Sequence, residues 1–156
     1  MKKPLRYLVI HCTATPEGRQ VSSEEIRRWH IAPKEKGGRG WKQVGYTDMI
    51  HLNGEVERLV ANNEDEWVDP WEITNGAKGY NGRSRHMVYV GGLASDAKTP
   101  KDTRTREQLD SMRDYVLKFH SKHPKVKIIG HKEIANKACP CFDVQEWLLS
   151  IGINQK

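Results

Sequence analysis

The sequence predicts an α/β fold in which a central mixed β-sheet is flanked by helices. Two apolar runs, residues 7–10 and 126–129, each lead directly into a polar stretch that carries a histidine. Such runs are typical of buried strands that deliver a side chain at their C-terminal ends. The predicted order is strand, helix, hairpin, strand, helix, strand and helix, which is typical of a sheet covered by helices.

The composition indicates one soluble globular domain spanning residues 1–156. Charged residues make up 29% of the chain and hydrophobic residues 37%, which excludes a disordered protein. No apolar run approaches the roughly 20 residues of a membrane helix. The first apolar run is also shorter than the about 7–15 residues of a secretory signal. We therefore expect a monomer made in the cytoplasm, which either stays there or leaves by another route.

The charge balance is basic, with 26 Lys and Arg against 20 Asp and Glu and a net charge of +6. Such a balance favours polyanions, such as nucleic acid, an anionic membrane surface or an acidic cell wall. The basic residues are scattered and form neither an aromatic-interleaved stripe nor a nucleic-acid motif. We therefore do not expect nucleic acid to be the main partner.

The first strand covers about residues 7–12. Alternation along a strand places His11 and Cys12 on opposite faces, so only one of them can point at a given site. We assign His11 to the site. Cys12 is then a small buried apolar residue, the usual role of a free cysteine.

The first helix begins after Ser22, which can form a capping box with Glu25. Ile26, Trp29 and His30 then fall on one helical face. We interpret His30 as a packing residue at the edge of that face. The alternative is a substrate contact.

Asn53 and Gly54 predict a β-hairpin with a two-residue type I′ turn. Alternation before the turn places Tyr46 on the same face as Ile50 and opposite Met49. The following residues 61–84 show no regular period, and a long irregular segment in a compact domain is often functional. Its exposed tryptophans are candidate ligand contacts; the alternative is that they fill the core.

The second half of the chain contains a strand at residues 86–90 and two further helices. Thr105 and Gln108 predict a capping box for the first of these helices, and Asp143 and Glu146 predict one for the second. An apolar stripe on the first of them is interpreted as core: Leu109, Met112, Val116 and Phe119.

The histidines that follow the first and last strands suggest a metal site. We hypothesise that these strands lie side by side and present His11 and His131 to one zinc ion, with Cys139 as the third ligand. Three protein ligands leave one tetrahedral position for water, which is the pattern of catalytic zinc. Cys139 lies eight residues after His131, so the loop between them must fold back. Cys141 is the rival thiol.

Cysteine usage supports a metal role for one thiol. There are three cysteines, and Cys139 and Cys141 are too close in sequence for an ordinary structural disulfide. This pattern is typical of a reduced protein that is made inside the cell.

Five segments carry a resemblance to a known family. They read Val-Ile-His-Cys-Thr-Ala-Thr at 9–15, Val-Gly-Tyr at 44–46, Ala-Lys-Gly-Tyr-Asn at 77–81, Val-Gly-Gly at 90–92, and Gly-His with Lys-Ala-Cys-Pro-Cys-Phe-Asp at 130–143. In this order they resemble the zinc-dependent N-acetylmuramoyl-L-alanine amidases of the type 2 family, which include phage lysozymes and are related to peptidoglycan recognition proteins. The resemblance spans about residues 8–147.

The resemblance implies that family's fold, a zinc cofactor, and cleavage of the amide between N-acetylmuramic acid and the L-alanine of the stem peptide. By motif, His11, His131 and Cys139 match the zinc ligands. The family's ligand precedes the proline, which favours Cys139 over Cys141.

Two further residues match catalytic positions of the family. Tyr46 matches the tyrosine next to the metal, where it can orient a water or take its proton. Lys137 matches the lysine before the last ligand, where it can stabilise an oxyanion. The alternatives are a half-buried sheet aromatic for Tyr46 and a solvated loop charge for Lys137.

The chain departs from the family pattern around the groove. The departures are Thr47-Asp48 after Gly45-Tyr46, Gly76 where a histidine is common, Arg85-His86 in a strand that usually begins Ser-Ile-Gly-Ile, and Asn136 where proline is common. We hypothesise that Arg85 and His86 compensate by contacting the substrate, Arg85 through a stem-peptide carboxylate. Asn81 and Trp71 are the other predicted substrate-binding residues.

The sequence thus predicts a zinc amidase acting on peptidoglycan and muropeptides, as a phage endolysin released by a holin. One alternative is an antibacterial effector exported by dedicated machinery. Another is a non-catalytic peptidoglycan-binding module, against which the complete ligand set argues. A third is a regulator that binds another protein through its basic surface.

Overall fold

The computed structural model, which describes residues 1–155, confirms the α/β fold with a central mixed sheet. The sheet has five strands in the spatial order β3-β2-β4-β1-β5. Their bounds are β1 Tyr7–Cys12, β2 Asp48–Ile50, β3 Val56–Arg58, β4 Ser84–Tyr89 and β5 Lys127–Gly130. Neighbouring strands are parallel except for β2 and β3, which form an antiparallel hairpin.

Three α-helices flank this sheet: α1 Ser23–Ile31, α2 Arg106–Lys122 and α3 Val144–Ser150. Two pairs of two-residue strands lie outside the main sheet, Lys3–Pro4 with Trp67–Val68 and Thr15–Pro16 with Gly92–Leu93. Single 3₁₀ turns cover Lys34–Lys36, Pro70–Glu72, Asn81–Arg83 and His131–Glu133. Within residues 1–155, no helix combines the length and the apolar character needed to cross a membrane.

Strand β1 lies inside the parallel part of the sheet, between β4 and β5. Ile10 pairs with Gly130 of β5 and with Met87 of β4. The next residues along β1 and beyond β5 are His11 and His131. The prediction that these two strands lie side by side is therefore confirmed.

The two faces of the sheet bury separate apolar clusters, as alternation along a strand requires. On one face, Leu8 and Ile10 of β1 pack with residues of α2 and α3. On the other face, Met49 of β2 and Val88 of β4 pack with Ile26 of α1. Every residue of β4 is buried, as expected for a strand covered on both faces.

The predicted capping boxes account for the starts of α1 and α2. The Ser22 hydroxyl accepts from the Glu25 amide at 3.1 Å, and the Glu25 carboxylate accepts from the Ser22 amide at 3.2 Å. Thr105 and Gln108 form the same box before α2. For α3, the Asp143 carboxylate accepts from the Glu146 amide at 3.0 Å, and this is the only half of the predicted box found among the described residues.

The hairpin is present, but the predicted type I′ turn is wrong. The Gly54 amide donates to the His51 carbonyl and the His51 amide donates to the Glu55 carbonyl, both at 2.8 Å. Gly54 has a φ of +87°, whereas Asn53 keeps a negative φ. A type I′ turn needs positive φ at both central residues, so the loop is the longer kind that ends in a left-handed glycine.

Regular strand pairing in β2 is shorter than the sequence suggested, and this changes the position of Tyr46. Met49 and Ile50 lie on opposite faces, as predicted. Tyr46 precedes the strand and packs on the face of Met49, not on that of Ile50. Alternation cannot be extended through Gly45 to Thr47, because these residues are outside the regular ladder.

Candidate metal centre and groove

The ends of β1 and β5 bring two imidazoles together. The His11 and His131 rings lie 4.6 Å apart, centroid to centroid, and both side chains are buried. His11 is the fifth residue of β1, and its side chain points to the face opposite Leu8 and Ile10. His131 opens the 3₁₀ turn that follows β5 directly.

The loop after β5 folds back and supplies the thiol. The Lys132 amide donates to the Cys139 carbonyl at 2.7 Å, which closes the loop. The Cys139 Sγ then accepts a hydrogen bond from the Cys12 backbone amide at 3.2 Å. The backbone of β1 thus holds the thiol beside the histidines, and the predicted return of the loop is confirmed.

The three side chains form a group that could hold a metal ion. One ligand atom each from His11, His131 and Cys139 lie within 4.8 Å of one another. The Cys139 Sγ is 3.8 Å from the Nδ1 of His11. Two such ligands of one tetrahedral zinc would be about 3.6 Å apart, given usual Zn–S and Zn–N distances. The donor set and its spacing therefore fit zinc.

The rival thiol lies elsewhere. The Cys141 Sγ is 3.8 Å from the Cys12 Sγ, and both residues pack with the apolar cluster under α2 and α3. The contact with Cys12, together with burial, raises the pKa of Cys141. A neutral thiol is a poor metal ligand. The geometry therefore favours Cys139.

Burial keeps the two imidazoles neutral. Desolvation lowers the pKa of His11, and the neighbouring His86 and His131 lower it further. Desolvation also lowers the pKa of His131, assisted by the ammonium group of Lys137. Neutral imidazole is the form that binds a metal.

The metal group lies in a groove with a volume of about 820 Å³. Its walls come from α1, the loop after α1, the loop before β4 and the loop after β5. They include Trp29, Trp41, Arg39, Tyr46, Asn81 and Lys137. Volumes of this size are typical of small-molecule sites.

Tyr46 stands next to the metal group. Its ring lies 5.2 Å from the ring of His11 and 5.2 Å from the ring of His30. His30 is buried and its Nδ1 accepts from the Gly45 amide at 2.9 Å. His30 is therefore a buried packing residue beneath the tyrosine, as interpreted from the sequence. It also lines the groove, and the alternative of a substrate contact stays a prediction.

The structure does not bring Arg85 or Trp71 to this groove, which corrects two predicted substrate contacts. Arg85 lies on the opposite face of β4, where it donates to the Trp67 carbonyl at 3.2 Å and pairs with Asp65 and Glu72. Trp71 lies in a 3₁₀ turn, is 54% exposed and is not part of the groove wall. Trp67 is 40% exposed, so neither tryptophan fills the core.

Asn81 lies in the wall of the groove, whereas His86 is buried behind its floor. Asn81 lines the groove, and its predicted role in substrate binding stays a prediction. His86 has no exposed surface, so the expectation that it contacts substrate is corrected as well. Its Nδ1 lies 2.8 Å from the Nε2 of His11, behind the groove floor.

Arg39 and Trp41 form part of the groove wall and were not predicted from the sequence. The guanidinium of Arg39 lies 4.9 Å from the Trp41 ring, and this ring lies 4.8 Å from His30. The Gly- and Lys-rich composition of residues 34–44 indicated only a surface loop. The available signal was an Arg and a Trp two residues apart in a loop that follows the aromatic face of α1.

Comparison with known proteins agrees with this geometry. Residues 1–142 match the N-acetylmuramoyl-L-alanine amidase family. The chain belongs to this family. It is 35% identical over 140 residues to an endolysin of Enterobacteria phage K11, covering 89% of this chain and 82% of that endolysin. It is 34% identical to an endolysin of Escherichia phage T7, covering 90% and 83%.

Several solved structures share the fold. The N-acetylmuramoyl-L-alanine amidase LysC from Clostridium intestinale URNW has a TM-score of 0.72 at 20% identity, covering 97% of this chain and 87% of LysC. The Ph2119 endolysin of a Thermus scotoductus bacteriophage has a TM-score of 0.68 at 25% identity, covering 94% and 82%. Bumblebee PGRP-SA has a TM-score of 0.67 at 21% identity, covering 94% and 81%. The predicted family, fold class and peptidoglycan amidase function are confirmed.

Proposed function

We propose that this amidase is a zinc enzyme of the endolysin type, with His11, His131 and Cys139 as ligands and Tyr46 and Lys137 as catalytic residues. The observation that carries the proposal is the convergence of three ligand atoms within 4.8 Å of one another at the floor of a groove. The reaction is hydrolysis of the amide between the lactyl group of N-acetylmuramic acid and L-alanine. Its products are a carboxylate on the sugar and a free amine on the peptide.

Zinc, when bound by these ligands, would polarise the amide carbonyl and lower the pKa of a water toward neutrality. The protein's part is to hold two neutral imidazoles and one thiolate in position. The Cys12 amide supports the thiolate with its 3.2 Å hydrogen bond. Hydrogen bonds from backbone amides to anionic sulfur are charge-assisted and therefore stronger than those between neutral groups.

Tyr46 is suited to orienting the attacking water. Its ring lies 5.2 Å from His11 and is held from behind by His30. Burial, followed by the nearby Cys139 and Cys12, raises the pKa of the Tyr46 phenol. The neutral phenol is therefore the resting form in this environment, and its hydroxyl can both donate and accept a hydrogen bond.

Lys137 supplies positive charge at the rim of the site. It is exposed, lines the groove and is close enough to lower the pKa of both His11 and His131. Negative charge develops on the amide oxygen when water attacks the carbonyl carbon. An ammonium group placed there stabilises this oxyanion.

The substrate proposal is peptidoglycan or soluble muropeptides, held by the groove wall. Trp29 and Trp41 offer apolar surfaces, and Asn81 and Arg39 offer hydrogen-bond donors beside them. The relatives named endolysins support an endolysin role over that of an effector exported by dedicated machinery. Release through a holin and a monomeric state stay predictions. The proposed zinc set favours catalysis over a binding module.

Release of stem peptides from purified peptidoglycan tests the activity. Digestion by the wild type should produce new α-amino groups on L-alanine without new reducing sugar ends. Lys137→Gln should lower turnover by about 10²-fold, the usual cost of losing one oxyanion donor. The matched control is Lys132→Gln, an exposed lysine of the same loop that is not part of the groove wall, which should leave turnover unchanged. New reducing ends, or tight binding to peptidoglycan with no release of amines, would contradict the proposal.

A further inference from the structure

We infer that His86 is a positioning residue for the metal centre, which fixes the tautomer of His11 so that His11 presents Nδ1 to the metal. The inference rests on the zinc site proposed above. It concerns a row of hydrogen bonds that runs from His11 through His86 to Asn81 and ends on the backbone of Ala77. The bond between His11 and His86 is buried, and the two bonds of Asn81 are partly buried.

The donor and acceptor of each hydrogen bond in this row follow from the bond between Ala77 and Asn81. The Oδ1 of Asn81 accepts from the Ala77 backbone amide at 2.8 Å. The same oxygen lies 3.1 Å from the Nε2 of His86. A carbonyl oxygen carries no hydrogen, so the Nε2 of His86 must be the donor. The backbone amide therefore determines the protonated nitrogen of His86.

The protonated nitrogen of His86 in turn determines which nitrogen of His11 carries a hydrogen. A neutral imidazole with a hydrogen on Nε2 has a lone pair on Nδ1. The Nδ1 of His86 lies 2.8 Å from the Nε2 of His11, so this nitrogen of His11 must donate. The lone pair of His11 is consequently on Nδ1, and Nδ1 is the atom that lies 3.8 Å from the Cys139 Sγ. These hydrogen bonds thus leave the lone pair of His11 on Nδ1, the ring nitrogen that faces the Cys139 sulfur.

His86 is held for this role by its backbone. In the ladder between β1 and β4, His86 pairs with Val9 and lies two residues from the partner of His11. The Thr47 hydroxyl accepts from the His86 amide at 3.1 Å, and the Thr47 amide donates to the His86 carbonyl at 2.8 Å. The backbone that carries the imidazole is therefore held on both edges of β4, by β1 on one side and by Thr47 on the other.

Gly76 leaves the space that the imidazole occupies. A Cβ atom at Gly76 would lie 2.6 Å from the Nδ1 of His86 and 2.5 Å from the Gly45 carbonyl oxygen. Any side chain at this position would clash with the ring and with this carbonyl, so one of them would have to shift. Three departures from the family's sequence pattern therefore belong to one structural feature, the placement of the His86 ring. They are Thr47, Gly76 and His86.

This arrangement has a general physical basis. A histidine that binds a metal usually donates its other ring hydrogen to a fixed acceptor, which sets the tautomer and orients the ring. The acceptor is commonly a carboxylate or a backbone carbonyl, whereas here it is a second imidazole. The His86 ring is hydrogen-bonded to His11 and Asn81, and among residues 1–155 no carboxylate bonds to it that would favour a charged form at this fully buried position.

The test compares zinc dissociation constants, measured by competition with a chelator, for wild type, His86→Leu and His86→Gln. Leucine fills the space without an acceptor, and glutamine restores one. We expect about 10- to 100-fold weaker zinc binding in His86→Leu and a smaller loss in His86→Gln. The matched control is Met87→Leu, a fully buried neighbour on the opposite face, which should bind zinc as the wild type does.

A second measurement needs neither a variant nor a metal. Nitrogen-15 NMR of the zinc-free wild type should find both His11 and His86 in the Nε2–H tautomer. A hydrogen on the Nδ1 of His86, or unchanged zinc affinity in folded His86→Leu, would overturn the inference. If the wild type itself bound no zinc, the proposed function would fail, and the NMR result would still decide the tautomers.

Discussion

Arg85 and His86 are consecutive residues of β4 whose side chains lie on opposite faces of the sheet. His86 contacts His11 behind the groove, and Arg85 pairs with Asp65 and Glu72 on the other side. Two adjacent strand residues cannot serve the same site, because successive side chains alternate. Arg85 therefore stabilises the irregular segment before β4.

Replacement of Arg85 should affect stability and leave substrate binding unchanged. In Arg85→Leu the side chain of Glu72, which is 1% exposed, loses its charged partner. Breaking a buried ion pair in this way costs about 3 kcal/mol. Urea denaturation of the variant measures the loss of unfolding free energy, and the KM for muropeptides should equal that of the wild type.

The control for this prediction is Arg83→Leu. Arg83 is exposed, and its hydrogen bonds to Tyr80 and Arg6 are made by the backbone and survive the substitution, so its replacement should change neither quantity. A raised KM in Arg85→Leu with unchanged unfolding free energy would return Arg85 to the substrate-binding residues.

Tyr46→Phe should lower turnover without releasing zinc. The phenyl ring keeps its packing between His11 and His30, but the hydroxyl that orients water is lost. Loss of a transition-state hydrogen bond typically costs about 10²-fold in kcat. Steady-state kinetics and metal content should be measured on the same preparation. Tyr80→Phe is the control, since Tyr80 packs on Tyr7 and is not in the groove wall. Equal turnover in wild type and Tyr46→Phe would exclude the assigned role.

The zinc-free fold should lose stability in mild acid, partly through His30. Burial, and then the nearby Arg39, lower the pKa of His30 to about 4, whereas an unfolded histidine titrates near 6.5. Between these values the unfolded chain binds more protons than the folded chain. Stability therefore falls as pH decreases from about 6.5 to 4, by at most about 1.4 kcal/mol per pH unit from this group.

The variant His30→Asn isolates this contribution. Asparagine retains an acceptor for the Gly45 amide, which His30 accepts at 2.9 Å, but it does not titrate. Unfolding free energies at several pH values should show a flatter decline for the variant than for the wild type. Identical slopes would mean that His30 is already protonated in the fold or exposed to solvent.

Features encoded locally could be predicted from the sequence. The capping boxes at Ser22 and Thr105 are short-range hydrogen bonds between neighbouring residues. The positions of His11 and His131 follow from two apolar strands that must both be buried, and their pairing brings the two side chains together. Two buried strands that each end in a histidine therefore predict where the metal ligands meet.

Features that depend on distant contacts could not be predicted in the same way. The alternation rule was sound for Met49 and Ile50 but failed for Tyr46, because regular pairing begins only at Asp48. The exposure of Trp71 and the pairing of Arg85 with Glu72 depend on how an irregular segment folds over the sheet. Irregular segments carry no periodicity from which a direction can be inferred.

The proposed metal centre depends on whether Cys139 or Cys141 supplies the thiolate ligand. Only Cys139 places its sulfur beside His11, at 3.8 Å, whereas the sulfur of Cys141 contacts that of Cys12. The two cysteines are a matched pair in the same loop, so the same substitution at each position separates metal binding from general damage to the fold.

The measurement is zinc content by elemental analysis of the wild type, Cys139→Ser and Cys141→Ser, each supplied with zinc and then freed of loosely bound metal. We predict about one zinc ion per chain in the wild type and in Cys141→Ser, and its loss in Cys139→Ser. Zinc that is retained in Cys139→Ser and lost in Cys141→Ser, or a wild type that binds none, would contradict the assignment of His11, His131 and Cys139 as the metal centre.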